Sequence, residues 1–126
     1  MFQVSVEETF SAGHALRGYH GKCENPHGHN YRVRVTLEGA QLDSIGLLCD
    51  FTELKQVMRG IIASLDHQFM NDLEMFRTVN PSAENMAKYF YDEITRQLKS
   101  LPPGARVTDT IIWETDTTRA QYRPAP

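Results

Sequence analysis

Only two cysteines, Cys23 and Cys49, occur in the 126 residues, too few for a disulfide framework. Cys49 lies inside the apolar GLLCDF run and reads as buried filler. No stretch is long and apolar enough to span a membrane, although 40% of the residues are hydrophobic. An excess of basic residues is also missing: the formal charge is -3, which argues against a general nucleic-acid footprint while leaving room for a local basic pocket for an anionic small molecule. The chain enters a strand pattern at Phe2 without a basic and apolar leader, so nothing marks it for export and the cytoplasm is the expected location. Repeats, linkers and low-complexity segments are absent as well. The expectation is one domain, residues 1–126, long enough to bury a core.

What is present follows an order of strand, strand, helix, helix, strand, strand. The alternation predicts a first strand over about Phe2 to Ala12 and a second over about Asn30 to Gly39, separated by a polar loop from Arg17 to Pro26 that carries Cys23. Leu54, Val57, Met58, Ile61, Ile62 and Leu65 recur at helical spacing, predicting a helix from about Phe51 to Leu65 behind an Asp50 cap. A second helix fits from about Pro81 to Ser100, with Met86, Ala87, Phe90, Ile94 and Leu98 as its stripe, Asn80 or Ser82 as its cap and Pro102-Pro103-Gly104 as its stop. Val107 to Thr115 and Thr118 to Arg123 form a final hairpin.

The densest chemistry is His27-Gly28-His29, four residues after Cys23 and leading directly into the second strand. Side chains on an extended chain alternate faces, so His27 and His29 project to one side, and the glycine between them leaves room for a ligand or a second backbone. Tyr31, Val33, Val35 and Leu37 share their face, so the imidazoles sit at the end of an apolar stripe. In the first strand Phe2, Val4, Val6, Phe10 and Ala12 share a parity that His14 continues beyond Gly13. Three imidazoles can hold a catalytic zinc while leaving a position for water or substrate, which makes His14, His27 and His29 the candidate ligands. The competing reading of an isolated HxH is a glycine turn with two solvated histidines. His20 lacks a partner in register and reads as a loop surface residue.

The ordered set FSAGH (Phe10 to His14), KCENPHGHNYRV (Lys22 to Val33), LCDFTELK (Leu48 to Lys55), LDH (Leu65 to His67), PSAEN (Pro81 to Asn85) and WETD (Trp113 to Asp116) resembles the 6-pyruvoyl-tetrahydropterin synthase family. That family includes the 6-carboxy-tetrahydropterin synthases of queuosine biosynthesis. The resemblance implies an α+β tunnelling fold, a β-β-α-α-β-β unit with an antiparallel sheet and two helices on one face. Subunits of that fold join into a barrel, usually a homohexamer of two trimers with sites at subunit interfaces. It further implies a lyase with one Zn2+ per subunit on His14, His27 and His29, acting on 7,8-dihydroneopterin triphosphate. Neither a nucleic acid nor a membrane is an implied partner.

Residue roles implied by the resemblance each stand beside a plainer reading. Cys23 matches the family's base, and a metal and cationic surroundings would favour its thiolate; the alternative is a fourth, structural zinc ligand. Asp66 and His67 match a proton relay, in which a carboxylate holds an imidazole in one tautomer; His67 could instead merely favour the negative end of the preceding helix. Glu114 looks like the pterin anchor, its two oxygens matching a ring N–H and an exocyclic amine, against the alternative of a solvated edge glutamate. Ser82 and Glu84 match pterin-pocket positions, while Ser82 could be only a helix cap. Lys22, Arg17, Arg32 and Arg34 are the cations available for the triphosphate.

The four-residue step from Cys23 to His27 resembles the queuosine-type branch, whose product is 6-carboxy-5,6,7,8-tetrahydropterin with loss of acetaldehyde and triphosphate. Glu24 complicates this, because CENPHGH also contains the ExxHGH form that cleaves the same substrate to 6-hydroxymethyl-7,8-dihydropterin for folate synthesis. Glu24 is therefore a second candidate base, or an ordinary solvated loop residue. A 6-pyruvoyl product, a zinc-stabilised binding module and a non-catalytic pterin-binding relative are the remaining alternatives.

Overall fold

Thirteen-residue strands at the N-terminus set the frame of a computed structural model that describes residues 1–126. Strand β1 (Phe2–His14) pairs antiparallel with β2 (His27–Gly39). Helices α1 (Phe51–Ala63) and α2 (Ala83–Gln97) follow, and β3 (Arg106–Thr115) and β4 (Thr118–Tyr122) complete a sheet in the order β1-β2-β3-β4. Neighbouring strands all run antiparallel. This is the α+β architecture with two helices against one sheet that the sequence order predicts.

β1 ends two residues later than the alternation predicts, and β2 starts three residues earlier. The cause is the pairing of Gly13 with Gly28, which carries the ladder through to His14 opposite His27. A Cβ on Gly28 would stand 3.4 Å from the Ala12 carbonyl oxygen, and one on Gly13 would stand 3.4 Å from that of His27. Without side chains, these two strands approach closely and the pairing does not break. The histidines are therefore ladder residues with fixed facing, which a loop would not give them.

One face of the sheet is apolar and covered. Val6, Phe10 and Ala12 of β1, Tyr31, Val33, Val35 and Leu37 of β2, and Ile112 of β3 are buried there against Leu54, Met58 and Ile61 of α1 and Met86, Phe90 and Ile94 of α2. Phe10 stacks on Tyr31 with ring centroids 5.1 Å apart and meets Phe90 at 5.9 Å, so one aromatic column joins β1, β2 and α2. The Thr110 hydroxyl donates to the Ala87 carbonyl at 2.5 Å, which satisfies a buried polar group where β3 meets α2. The other face is polar: Glu7 bonds Arg32 and Arg34, and Arg32 lies 3.8 Å above the Trp113 ring.

The helices are shorter than their apolar stripes. α1 starts where the Asp50 carboxylate accepts the Thr52 N–H, but it stops at Ala63 instead of Leu65. There the Ser64 hydroxyl and N–H both turn back to the Ile61 carbonyl, tightening the last turn and ending the α-helical ladder. α2 begins behind Ser82, whose hydroxyl accepts the Asn85 N–H, and ends at Gln97, where Leu98 turns extended. Between the helices, one-turn 3-10 segments at Met70–Asp72 and Glu74–Phe76 appear that no periodicity announces. That stretch also covers the end of β1: Phe69 bridges Gly13, and the Gly13 N–H donates to the Gln68 carbonyl at 2.9 Å.

Candidate metal centre

His14, His27 and His29 meet at the end of the covered face, with one ring nitrogen from each lying within 4.8 Å of the others. His14 is buried, and His27 and His29 are half-buried. The rings stand edge to face, with centroids 4.5 to 5.1 Å apart. The sheet itself enforces this convergence, since His14 and His27 are register partners and His29 is the next residue on their face.

Hydrogen bonds fix the tautomers. His14 Nδ1–H donates to the Pro81 carbonyl at 2.6 Å, and His27 Nδ1–H donates to the Asn25 carbonyl at 2.8 Å. Each ring in this tautomer therefore turns its Nε2 inward, and these two Nε2 atoms are 3.0 Å apart. Burial holds the His14 imidazole below its usual range, although the Pro81 bond and the Glu114 charge oppose this, so it is neutral near pH 7. At that distance the two nitrogens can share a proton or, with the third imidazole, hold a metal ion. Tetrahedral zinc–imidazole geometry sets a nitrogen–nitrogen edge of roughly 3.3 Å, close to the one observed. His29 Nε2 is buried without a hydrogen-bond partner, as expected for an atom built to ligate. Bonding the outer ring nitrogen to backbone carbonyls is how proteins orient metal-binding histidines. The donor set fits a divalent metal.

The other predicted residues fall into distinct places around this triad. Cys23 and Glu24 share a one-turn 3-10 segment, Lys22–Glu24, with Cys23 half-buried and Glu24 exposed. Its backbone is tied down where the Leu16 N–H donates to the Cys23 carbonyl at 2.8 Å. The Cys23 thiol is not among the converging ligand atoms, so the set is three imidazoles without a sulfur. Glu114 is half-buried, with Oε2 at 3.6 Å from His29 Nε2. It occupies a bulge: Trp113 pairs with Arg119 and Thr115 with Thr118, leaving Glu114 as the extra residue on β3. Glu114 and Glu84 line one cavity of about 370 Å³ at the start of α2. Ser82 stands beside it, with its hydroxyl engaged as the helix cap.

Asp66 and His67 bond each other directly, His67 Nδ1–H to Asp66 Oδ2 at 3.0 Å. The other Asp66 oxygen accepts the Ser11 N–H at 2.9 Å, and this bond, before that of His67, holds its carboxyl below the usual range. His67 adopts a left-handed backbone with φ of 58°, anchored by its N–H to the Ser11 carbonyl at 2.6 Å. Its side chain is 80% exposed, with Nε2 free of any hydrogen bond, and lines a cavity of about 480 Å³ that His29 also borders.

The cations sort themselves by partner. Arg17 donates to the carbonyls of Phe76, Asn71 and Val79, which staples the loop after β1 to the segment before α2. Arg32 and Arg34 are held by Glu7. Lys22 is exposed beside Cys23 and makes no ion pair, and His20 is an exposed loop residue. Sequence reasoning did not find Tyr31 as a site residue. It is fully buried, touches His14 and His29 ring edge to ring face, and its hydroxyl lacks a partner. Burial, and then the Glu114 charge, push this phenol well above its ordinary range. Its parity with His29 was the available signal, but parity alone does not separate a core tyrosine from one under a metal site.

Comparison with known proteins bears on this geometry. A model of the 6-pyruvoyl tetrahydropterin synthase family matches residues 3–125. The 6-carboxy-5,6,7,8-tetrahydropterin synthase of Bacillus subtilis (strain 168) is 34% identical, over 98% of this chain and 86% of its own. The human 6-pyruvoyl tetrahydrobiopterin synthase is also 34% identical, over 96% of this chain and 90% of its own. The structure of Caenorhabditis elegans 6-pyruvoyl tetrahydropterin synthase superposes with a TM-score of 0.88 at 27% identity, covering 98% of this chain and 96% of that one. The sheet, the two helices and the sequence match along nearly its whole length agree: this chain belongs to the 6-pyruvoyl tetrahydropterin synthase family.

Proposed function

We propose that this enzyme converts 7,8-dihydroneopterin triphosphate to 6-carboxy-5,6,7,8-tetrahydropterin, releasing acetaldehyde and triphosphate, with one zinc ion per subunit on His14, His27 and His29. The observation that carries this reading is the set of three converging imidazole nitrogens with no fourth protein ligand, beside a half-buried carboxylate. Bound zinc supplies Lewis-acid polarisation of substrate oxygens, stabilising the enediol-like charge that follows proton loss. Three nitrogen donors are compatible with other divalent ions, and zinc is favoured by ligand preference.

The chain's own groups do the rest. Glu114 offers two acceptor oxygens in a plane, matching the amide N–H and exocyclic amine of a pterin ring, with Glu84 at the same cavity and Ser82 next to its lining residue Ala83. Cys23 serves as the base that takes the proton from the substrate side chain. Asp66 holds the proton of His67 on Nδ1, so that Nε2 is left to accept or return protons at the substrate. Lys22, exposed beside Cys23 and without an ion pair in the chain, is a cation available to phosphate.

The short step from Cys23 to His27 supports the 6-carboxy product over the 6-pyruvoyl one, whereas overall identity does not separate the two kinds of relative, at 34% for each of the Bacillus subtilis and human enzymes. A second reading has Glu24 act as base and gives 6-hydroxymethyl-7,8-dihydropterin; it is favoured by the placement of Glu24 on the same turn as Cys23. Incubating zinc-loaded protein with 7,8-dihydroneopterin triphosphate and weighing the products distinguishes all three outcomes. No pterin product at full zinc occupancy would end the enzymatic reading.

A further inference from the structure

Ser11 and Asn30 belong to no role assigned so far, yet they form the wall of the cavity onto which His67 opens. They are register partners on β1 and β2, one step beyond the Gly13–Gly28 region on the polar face. Every polar group of Ser11 that the site touches is committed. Its N–H donates to Asp66, its carbonyl accepts from His67, and its hydroxyl donates to Asn30 Oδ1 at 2.6 Å. One residue thus fixes both members of the Asp66–His67 pair and the orientation of the Asn30 amide.

With Oδ1 held by Ser11, the Asn30 Nδ2 donors make no bond within the chain. Gly13 and Gly28, which also line the cavity, carry no side chains on this face, and that keeps about 480 Å³ open beside the amide. An NH2 group, the His67 Nε2 and the free volume therefore share one space, bordered by His29 of the metal centre. We propose that Asn30, oriented by Ser11, is a substrate-binding residue that donates to an oxygen of the substrate's hydroxylated, phosphorylated side chain in this cavity, with Ser11 as its positioning residue.

This rests on the pterin reading above, and the test separates the two. Binding of three ligands to zinc-loaded, full-length protein would be measured: 7,8-dihydroneopterin triphosphate, 7,8-dihydroneopterin, and 6-methyl-7,8-dihydropterin, which lacks side-chain oxygens. Asn30→Asp replaces the donors with an acceptor in the same shape. It is expected to weaken the two oxygenated ligands by roughly ten- to a hundredfold while leaving 6-methyl-7,8-dihydropterin and zinc content unchanged. A greater loss for the triphosphate assigns the bond to phosphate, and an equal loss assigns it to a hydroxyl. Ser11→Ala should give a smaller loss of the same pattern, restored by Ser11→Thr, which keeps the hydroxyl. Asn30→Leu, carrying no charge, should repeat the pattern of Asn30→Asp. Unchanged affinity in both Asn30 variants, or an equal loss for all three ligands, overturns the assignment of Asn30. Wild-type protein that binds none of the three removes the pterin reading itself.

Discussion

Cys23 and the three histidines make opposite predictions on substitution. If Cys23 is the base, Cys23→Ala keeps its zinc and loses turnover by roughly 10²- to 10⁴-fold, whereas His29→Ala loses the metal as well. Metal analysis alongside product assay decides this, and loss of zinc from Cys23→Ala would make the thiol a structural ligand. Asp66 carries a pH prediction. Its carboxyl is held below its ordinary 3.8, first by the Ser11 N–H and then by His67. A depressed carboxyl adds stability above the unfolded-state value and loses it as pH falls through the lower folded-state value. The stability gap between wild type and Asp66→Asn, followed by urea unfolding, should therefore hold at pH 6 and close below pH 4 (roughly). A gap that widens with acid would contradict the observed bonding.

At the scale of elements, the cap role of Ser82 can be separated from its proposed role at the pterin. As the α2 cap, Ser82→Ala should cost about 1 kcal/mol of unfolding free energy, and Ser82→Asp should recover it by accepting the same Asn85 N–H. If the hydroxyl also meets the pterin, Ser82→Asp restores stability without restoring KM. The aromatic column gives a larger effect: Phe90→Ala removes the ring packed against Phe10 and should destabilise by about 3–5 kcal/mol, measured by denaturant titration. Glu114 keeps the parity of the buried Ile112, two residues before it, and so faces the histidine side of the sheet. The hairpin alternation placed Glu114 on a strand, but the extra residue is visible only in the pairing with β4.

For the whole molecule, the sheet ends in two free edges, β1 and β4. Residues 66–69 cover only the last part of β1, and an uncovered strand edge is a surface made for another chain. The half-open His67 cavity fits the same view. The homohexamer that the family resemblance implies predicts a sedimentation mass of six subunits and an unfolding midpoint that falls on dilution. A monomer whose midpoint ignores concentration would remove the oligomeric barrel from the proposal. No helix is long and apolar enough to cross a membrane.

By itself, the sequence determined which residues alternate and which recur at helical spacing, and so the order of six elements and the shared face of His14, His27 and His29. These are local properties, since a strand's period of two and a helix's period of 3.6 need no partner to be read. It also carried the ordered motifs that mark the family. Only the tertiary structure decided what depends on distant segments meeting. The Pro81 carbonyl selects the His14 tautomer from 67 residues away, and Ser11 fixes Asp66 from 55 residues away. Arg17 is taken up by the carbonyls before α2, and the glycine pair extends the ladder to the metal centre. Hydrogen bonds of that kind are set by where backbones pass each other, and no spacing along one chain encodes that position.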